Sequence, residues 1–260
     1  MAISPHPSLV LCLSGHDPGG GAGLHADAEA VAALGGHALT VITTHTVQDT
    51  GNVSRVVAAD LALMREQVEV LARDSRIDAI KIGLIGATAQ IPFLVEVVQR
   101  LRAPVVLDPV LRAGGGTDLA SAALIEQLRR DLLPCVDVLT PNAAEAQRLA
   151  PEAPTLDARG AALVALGAQN VLVTGGDEPG DPVVNHWFCD KAAPRRFAWP
   201  RLPGRFHGAG CTLASAIAVL LGAGLPIGQA LEDAQAYTHR ALSRAFTTGR
   251  GRAIPGRLER

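Results

Sequence analysis

Short apolar runs typical of β-strands alternate with helical patterns along almost the whole chain, and this alternation constrains the fold more than any other feature. The first run, SLVLCL at residues 8–13, is typical of a buried strand. Apolar residues at helical spacing predict a helix over residues 61–72. Strands that alternate with helices predict right-handed βαβ units, and therefore a mostly parallel sheet with helices on both faces.

The same patterns divide the rest of the chain into strands and helices. Further strands are predicted at residues 38–43, 79–84, 104–107, 136–139 and 171–174. Helices are predicted at residues 23–34, 61–72, 88–101, 120–133, 143–149, 157–166, 211–221 and 227–245. Residues 183–199 lack a helical pattern and predict a short antiparallel edge. No linker divides the chain, so we expect one domain over residues 1–260, with a loosely ordered tail over residues 248–260.

Composition excludes several classes of protein. Hydrophobic residues make up 48% and charged residues 18% of the chain, and the net charge is −2, which argues against disorder and against a nucleic acid partner. The N-terminus has no basic leader, and no apolar run reaches the roughly 20 residues that span a bilayer. We therefore expect a cytoplasmic protein with no membrane partner. Cys12, Cys135 and Cys189 are scattered, which predicts reduced thiols.

A glycine-rich segment, SGHDPGGGAGLHAD at residues 14–27, follows the first strand and opens the first helix. Ligands bind at the carboxyl ends of strands in open α/β sheets, and glycines there let backbone N–H groups approach a ligand closely. The segment matches neither the dinucleotide-binding nor the P-loop pattern. Asp27 lies one turn into this helix. Its carboxylate could interact favourably with the helix dipole, or it could accept a hydrogen bond from a substrate hydroxyl.

Two further motifs place acidic side chains where strands end. Asp108 ends an apolar strand, where it could hold a magnesium ion or its water, or only cap the strand. Asn142 and Glu145 are three residues apart at a helix start, so both face one side of its first turn. This pair could form a helix cap, or it could organise magnesium and phosphate.

The fourth motif, HGAGCTL at residues 207–213, places Gly208 and a second glycine before an apolar helix. The free N–H groups of Ala209, Gly210 and Cys211 would point at one spot, where the helix dipole favours an anion. Such an anion hole suits a γ-phosphate during its transfer. A cysteine at a helix start is expected to have a lowered pKa and can be a thiolate near neutral pH.

In this order and spacing, the four motifs resemble those of the ribokinase-like kinases, and among them the hydroxymethylpyrimidine/phosphomethylpyrimidine kinases. The resemblance runs from about residue 9 to residue 245. Its most specific segments are GHDPGGGAGLHAD, VITTHTVQDT, IKIGLIG, VVLDPVL, LTPNAAEA and HGAGCTLASAIA. Most relatives in the wider fold carry an aspartate base where this chain has Cys211, and a cysteine there is typical of the pyrimidine kinases.

The resemblance implies a three-layer α/β/α sandwich, usually a homodimer, that uses ATP and Mg²⁺. It implies phosphorylation of the hydroxymethyl group of 4-amino-5-hydroxymethyl-2-methylpyrimidine, and then conversion of the monophosphate to the diphosphate. It assigns the base to Cys211 and the anion hole to Gly208, Ala209 and Gly210. The implied contacts to the pyrimidine are Gly15, Ala22, Asp27, Gln48 and Leu84. The implied contacts to MgATP are Asn142, Glu145, Thr174 and Gly176, with Asp108 and Glu145 near the metal.

The chain departs from this family at two lysines that usually face phosphate. Relatives carry A-K-S-G where this chain has AGGG at residues 113–116, and K-G-G-H where it has TGGD at residues 174–177. Lys81 and Lys191 are the only lysines. Arg112 or Arg205 would have to substitute, and arginine is not equivalent to lysine as a phosphate ligand. The change bears on the catalytic rate and on the balance between the two phosphorylation steps.

Two other functions stay open at this point. A pyridoxal or related vitamin kinase would have the same fold, although Gln48 and Cys211 speak against it. A non-catalytic protein that binds a ligand or regulates a partner is favoured by the missing lysines. The anion hole, Asn142 and Glu145 oppose that second alternative.

Overall fold

A computed structural model describes residues 7–190 and 192–258 of the 260-residue chain. The prediction that the N-terminus carries no leader falls largely on residues 1–6, which lie outside this part, as do residues 259–260 of the predicted tail. Within the described residues, nine strands form one sheet in the order β3-β2-β1-β4-β5-β6-β7-β8-β9. Their bounds are β1 Leu9–His16, β2 His37–Gln48, β3 Val53–Ala58, β4 Ala79–Ile82, β5 Val105–Leu107, β6 Val138–Leu139, β7 Asn170–Val173, β8 Val183–Cys189 and β9 Ala192–Trp199.

The centre of the sheet is parallel, as the βα alternation predicts. Strands β2, β1, β4, β5, β6 and β7 pair in parallel. Strands β8 and β9 add an antiparallel hairpin at one edge, which confirms the prediction for residues 183–199. Strand β3 adds an antiparallel partner to β2 at the other edge, and this strand was not predicted. Its signal in the sequence is the turn Asp49-Thr50-Gly51-Asn52, since Asp and Gly between two β-branched runs are typical of a hairpin.

Helices cover both faces of the sheet. Their bounds are α1 Gly23–Ala33, α2 Leu61–Asp74, α3 Gln90–Leu101, α4 Ala122–Gln127, α5 Ala143–Leu149, α6 Leu156–Ala165, α7 Ala209–Gly222 and α8 Ile227–Ser243. The predicted helix over residues 120–133 is wrong in its detail, because α4 passes into a π-helical turn at Leu128–Leu132 and a 3₁₀ turn at Leu133–Cys135. No helix in the described part of the chain is both long and apolar enough to cross a membrane.

Two apolar cores lie on opposite faces of the sheet. Successive side chains of a strand point to opposite faces, so Leu11 joins one core and its neighbour Val10 joins the other. Helices α2 to α6 pack on the first face, and α1, α7 and α8 pack on the second. This arrangement confirms the predicted three-layer α/β/α sandwich. It also brings the carboxyl ends of the parallel strands to one edge of the sheet, where the sequence motifs lie.

The C-terminal tail packs against the body of the protein, which corrects the expectation of loose order over residues 248–260. Phe246 and Ile254 exchange two backbone hydrogen bonds, and Ile254 is buried. Arg257 is only 1% exposed, and its carbonyl accepts a hydrogen bond of 3.1 Å from the Tyr237 hydroxyl. The tail carries no periodic apolar pattern, so its order depends on these contacts with distant residues.

Candidate active site

A cleft of about 1410 Å³ opens above the carboxyl ends of the parallel strands. All the residues that the sequence singles out for a site, except Asp27, line it. These are Gly15, Ala22, Gln48, Leu84, Asp108, Asn142, Glu145, Thr174, Gly176, Gly208, Ala209, Gly210 and Cys211. The structure therefore brings together four motifs that are far apart in the sequence.

Asp27 lies beneath the cleft and has no exposed surface. Lys81 Nζ donates to both of its carboxylate oxygens, at 2.8 and 3.0 Å, and the Ser215 hydroxyl donates to Oδ1 at 2.8 Å. A buried carboxylate needs such a cation and such donors to offset its lost hydration. This placement corrects the expectation that Asp27 contacts a substrate hydroxyl, because its oxygens are already engaged within the protein.

Lys81 is a buried residue of the site that sequence reasoning did not single out, since it was noted only as one of two lysines. It is fully buried on β4, and its Nζ also donates to Ser14 Oγ at 2.9 Å. Burial disfavours its charge, yet Asp27, Cys211 and Asp108 hold the pKa of Lys81 above its usual value. The available signal was a lysine inside an apolar strand, because a charge there requires a partner.

The glycine-rich loop is held by Asp17, a second residue that the sequence did not single out. The carboxylate of Asp17 accepts hydrogen bonds from the backbone N–H groups of Gly19 at 2.8 Å and Ala22 at 2.9 Å. It also lies 2.8 Å from Nε2 of His207, at the start of the fourth motif. Burial raises the pKa of Asp17, but these partners together lower it. Asp17 and His207 thus tie the glycine-rich loop to the predicted anion hole.

The predicted anion hole lies at the start of α7, two residues earlier than the predicted helix start. Gly208 caps the helix with φ of 84°, in the left-handed region that favours glycine. A Cβ at this position would overlap the carbonyl oxygen of Gly21. The first N–H groups of a helix have no partner within it, so those of Ala209, Gly210 and Cys211 are available to an anion in the cleft.

Cys211 lines the cleft as a partly buried residue, but burial of its thiol shifts the pKa in the direction opposite to the sequence expectation. Burial raises the pKa of Cys211 to about 12; Lys81 lowers it, while Asp108 and Asp27 raise it further. The helix dipole alone predicts a thiolate at neutral pH. In the folded protein, desolvation and two nearby carboxylates outweigh the dipole, so the thiol is protonated.

Asp108 and Glu145 are buried carboxyl groups on neighbouring elements of the cleft. Burial and the charge of Asp108 raise the pKa of Glu145 to about 8. Burial likewise raises the pKa of Asp108, although Lys81 opposes this effect. No group of three or more His, Cys, Asp or Glu residues in the described part of the chain is arranged around a metal ion. Two carboxylates that repel each other fit Mg²⁺, which binds few carboxylates and keeps several waters.

Asn142 and Glu145 also form the helix cap that the sequence allowed. Asn142 Oδ1 accepts from the Glu145 N–H at 2.8 Å, and Glu145 Oε2 accepts from the Asn142 N–H at 3.0 Å. The second oxygen, Oε1, accepts from the N–H of Leu111 at 3.2 Å. This capping box fixes the start of α5 and ties it to the loop after β5.

The remaining predicted contacts lie at the two ends of the cleft. Gln48 is half-buried at the end of β2, and its Nε2 donates to Thr46 Oγ1 at 2.7 Å. Leu84 packs against Gly15, where an added Cβ would lie 3.3 Å from Leu84 Cδ2. At the opposite end, the N–H of Thr174 donates to the Pro141 carbonyl at 2.9 Å.

The loop around Gly176 is held by Arg201, which the sequence did not single out. Its guanidinium donates to the carbonyl of Gly176 at 3.1 Å and to that of Glu178 at 2.6 Å. Arg112, a suggested substitute for lysine, donates from Nε to the Gly116 carbonyl at 2.8 Å. Arg112 thus stabilises the glycine turn at residues 113–116.

Comparison with known proteins shows the family to which the chain belongs. The phosphomethylpyrimidine kinase family model matches residues 17–255. A hydroxymethylpyrimidine/phosphomethylpyrimidine kinase of Salmonella typhimurium is 37% identical over 252 residues, which cover 94% of each chain. A solved phosphomethylpyrimidine kinase of Clostridium difficile has a TM-score of 0.77 and 28% identity, covering 91% of this chain and 99% of its own. The ADP complex of Bacillus subtilis pyridoxal kinase has a TM-score of 0.87 and 25% identity, covering 97% of each chain. The chain therefore belongs to the phosphomethylpyrimidine kinase family of phosphotransferases.

Proposed function

We propose that this protein transfers the γ-phosphoryl group of ATP to the hydroxymethyl group of 4-amino-5-hydroxymethyl-2-methylpyrimidine, and then to the resulting monophosphate. The observation that carries the proposal is the position of the α7 start, between Gln48 at one end of the cleft and Asn142 at the other. An acceptor at the first end and a nucleotide at the second would meet at the N–H groups of Ala209 and Gly210. Phosphoryl transfer depends mainly on such positioning and charge stabilisation.

The acceptor end suits an aminopyrimidine. The amide of Gln48 can both donate to and accept from the edge of the ring. Leu84 offers an apolar surface, and the loop that contains Gly15 and Ala22 lies beside it. Asp27 supports this end from below through Lys81 and Ser14 rather than by direct contact.

The nucleotide end suits MgATP. Asn142, Thr174 and Gly176 line the cleft there, and the structural relative from Bacillus subtilis is an ADP complex. Asp108 and Glu145 would hold Mg²⁺, directly or through water, and the bound ion would neutralise phosphate charge. Binding of the cation would favour the ionised form of Glu145, whose pKa is about 8 in the protein alone.

Cys211 is the proposed proton acceptor. Cys211 lies in the first turn of α7 and lines the cleft. Because the transition state of phosphoryl transfer is loose, the hydroxyl proton can leave late. Lys81 favours the thiolate form, while burial, Asp108 and Asp27 oppose it. We therefore expect the small thiolate fraction to limit the rate at neutral pH.

A pyridoxal-type vitamin kinase is the second candidate. The observation in its favour is the TM-score of 0.87 with a pyridoxal kinase, higher than the 0.77 with the phosphomethylpyrimidine kinase of Clostridium difficile. The sequence identities of 37% and 25% favour the pyrimidine substrate instead. A homodimer and a cytoplasmic location, both implied by the family, remain proposals with the same basis.

The deciding experiment offers MgATP with four acceptors: the hydroxymethylpyrimidine, its monophosphate, pyridoxal and pyridoxine. Mass spectrometry of the products should show phosphorylation of the first two. A Gln48→Ala variant should raise the KM for the pyrimidine by roughly 5- to 150-fold, equivalent to about 1–3 kcal/mol for a lost buried partner, with ATP affinity unchanged. Products from pyridoxal alone would support the second candidate, and an absence of all products would favour a non-catalytic ligand-binding protein.

A further inference from the structure

The guanidinium of Arg252 occupies the space above the glycine turn at residues 114–116. A Cβ built on Gly114 would overlap Nη1 of Arg252, and one built on Gly115 would overlap Asn52. The backbone of Gly114 is not in the left-handed region, so a side chain there would meet the end of the Arg252 side chain rather than a conformational barrier. The tail of the chain thus fills the position from which a residue 114 side chain would otherwise enter the cleft.

Arg252 is held in this place by its backbone. The N–H of Arg252 donates to the carbonyl of Thr50 at 2.9 Å, and the N–H of Gly251 donates to Thr50 Oγ1 at 2.9 Å. The N–H of Ala253 donates to the carbonyl of Arg205 at 3.0 Å. Two arginines on adjacent segments are therefore fixed beside the β2–β3 turn, a few residues from Gln48.

Arg205 and Arg252 share a cavity that is otherwise lined by backbone. The cavity measures about 370 Å³, and its other lining residues are glycines, namely Gly51, Gly114, Gly115 and Gly251. It adjoins the main cleft, because both arginines and both turn glycines line that cleft as well. Glycine backbone leaves room for a ligand to approach both guanidinium groups closely.

The two guanidinium groups lack an anionic partner at hydrogen-bonding distance in the described part of the chain. Arg65 and Arg195, by contrast, pair with Glu96 and Glu232, each at 2.7 Å. Burial and the charge of Arg205 lower the pKa of Arg252, and only Asp177 opposes this effect. Two like charges facing one cavity repel each other, and a bound anion would remove that repulsion.

We propose that Arg205 and Arg252 form a phosphate-binding pair for the monophosphorylated pyrimidine acceptor. The proposal rests on the proposed function, because it names the group that the second phosphorylation must hold. Arginine binds phosphate through two parallel N–H···O bonds. We assign the pair to the acceptor phosphate because the backbone of Arg252 is fixed to Thr50, in the turn that follows Gln48. Asp177, which accepts a hydrogen bond from Asn142 at the nucleotide end, also acts on Arg252, so the test includes ATP. The pair would supply the positive charge that the lysine-free turn at residues 113–116 lacks.

The test measures binding without catalysis. Calorimetric titration would compare the pyrimidine monophosphate, the free pyrimidine and ATP on the wild type, Arg252→Gln and Arg205→Gln. Each variant should weaken monophosphate binding by about 10- to 100-fold, as expected for a lost charge-assisted bond, and should change free pyrimidine binding less than twofold. Arg55→Gln is the matched control, because Arg55 is exposed on β3 and lines neither cavity. It should change none of the three affinities.

A double variant tests the substitution of arginine for lysine directly. Removing the guanidinium in Arg252→Ala opens the space above residue 114, so Gly114→Lys should then fit and recover monophosphate binding to within about tenfold of the wild type. Gly114→Lys alone should weaken binding, because it displaces Arg252. A double variant as weak as Arg252→Ala would overturn the claim that the two positions share one role.

The other outcomes are distinct. Loss of ATP affinity with unchanged monophosphate affinity would overturn the assignment to the acceptor and give the pair to the nucleotide phosphates. Unchanged affinity for both ATP and the monophosphate would overturn the proposal that the two arginines bind phosphate. If the wild type binds neither pyrimidine, the proposed function fails. The arginine pair is then tested by titration with inorganic pyrophosphate. Its binding should weaken in both arginine variants but not in Arg55→Gln.

Discussion

Lys81 and Asp27 form an ion pair in which neither side chain has any exposed surface, with Nζ 2.8 Å from Oδ1 and 3.0 Å from Oδ2. The pair joins β4 to α1 directly below the cleft. Ser14 and Ser215 complete its hydrogen bonds. Lys81 also lowers the pKa of Cys211 and of Asp108. The ion pair therefore influences the protonation of both groups.

Lys81→Met should destabilise the protein by about 3–5 kcal/mol, because it leaves the Asp27 carboxylate buried without its cation. Urea unfolding followed by circular dichroism would measure the loss. The control is the double variant Lys81→Met with Asp27→Asn, which removes both charges and should recover a large part of the stability. Equal losses in the single and double variants would show that packing, and not charge, accounts for the effect.

Activity should rise with pH if Cys211 is the base, because its pKa is about 12 and only the thiolate accepts a proton. We expect kcat/KM to increase by up to tenfold per pH unit between pH 7 and pH 9. Cys211→Ala should lower kcat by roughly 10²–10⁴. Cys211→Asp should retain more activity than Cys211→Ala, with a flatter pH profile, because a carboxyl group ionises at a lower pH than this thiol.

The difference in thiolate absorbance near 240 nm between the wild type and Cys211→Ala gives an independent check on the Cys211 pKa. With a pKa of about 12, roughly 0.1% of the thiol is ionised at pH 9, so this difference should stay negligible between pH 7 and pH 9; a clear rise would show a lower pKa. A flat pH–rate profile in the wild type, together with near-wild-type rates for Cys211→Ala, would leave Cys211 as a packing residue. The amide groups of the anion hole would then be the main catalytic device.

Magnesium binding should tighten as pH rises from about 6.5 to 8. The pKa of Glu145 is raised to about 8, so below that pH a metal must displace a proton before it can bind the carboxylate. Calorimetric titration of Mg²⁺ in the presence of ATP, at several pH values, would measure this. In Glu145→Gln the pH dependence should become weaker, because the contribution of this carboxyl is lost, and the magnesium requirement should rise.

Glu145→Gln should also cost about 1 kcal/mol of stability, since a single amide oxygen cannot accept from both Asn142 and Leu111. This second measurement separates the two roles of Glu145. A loss of stability with unchanged magnesium titration would assign Asn142 and Glu145 to the helix cap alone.

Arg257 should stabilise both loops of the site from the C-terminal tail. Its guanidinium donates to Thr212 Oγ1 at 2.8 Å and to the Gly21 carbonyl at 2.5 Å, and it pairs with Glu29 at 3.0 Å. Arg257→Met should lower the free energy of unfolding by about 2–4 kcal/mol, because buried acceptors lose their donors. Thermal unfolding would measure the effect.

The adjacent exposed residue provides the control for this prediction. Leu258→Ala removes an exposed side chain and should change stability by less than about 0.5 kcal/mol. If Arg257→Met also left the melting temperature unchanged, the tail would contribute little to the order of the two loops.

The local patterns of the sequence were sufficient to predict the layers of the fold and the edge of the sheet that carries the site. Carboxyl ends of parallel strands meet at one edge, so Asp108 and Asn142, which each follow a predicted strand, had to lie near each other. Gly208 could be assigned because a glycine before an apolar helix is a local signal. The three-layer sandwich follows from the same alternation of strands and helices.

Only the tertiary structure determined which other residues contact these side chains. Lys81 and Asp27 are 54 residues apart, and Arg257 and Gly21 are 236 residues apart, so no local pattern could predict either contact. The pKa of Cys211 was predicted with the wrong sign, because the helix dipole is a local property whereas desolvation and the charges of Asp108 and Asp27 arise only on folding. Local periodicity therefore determined the layers and most of the elements, but not β3. Burial and long-range charge determined the chemistry of the site, because both depend on neighbours that only the folded chain brings together.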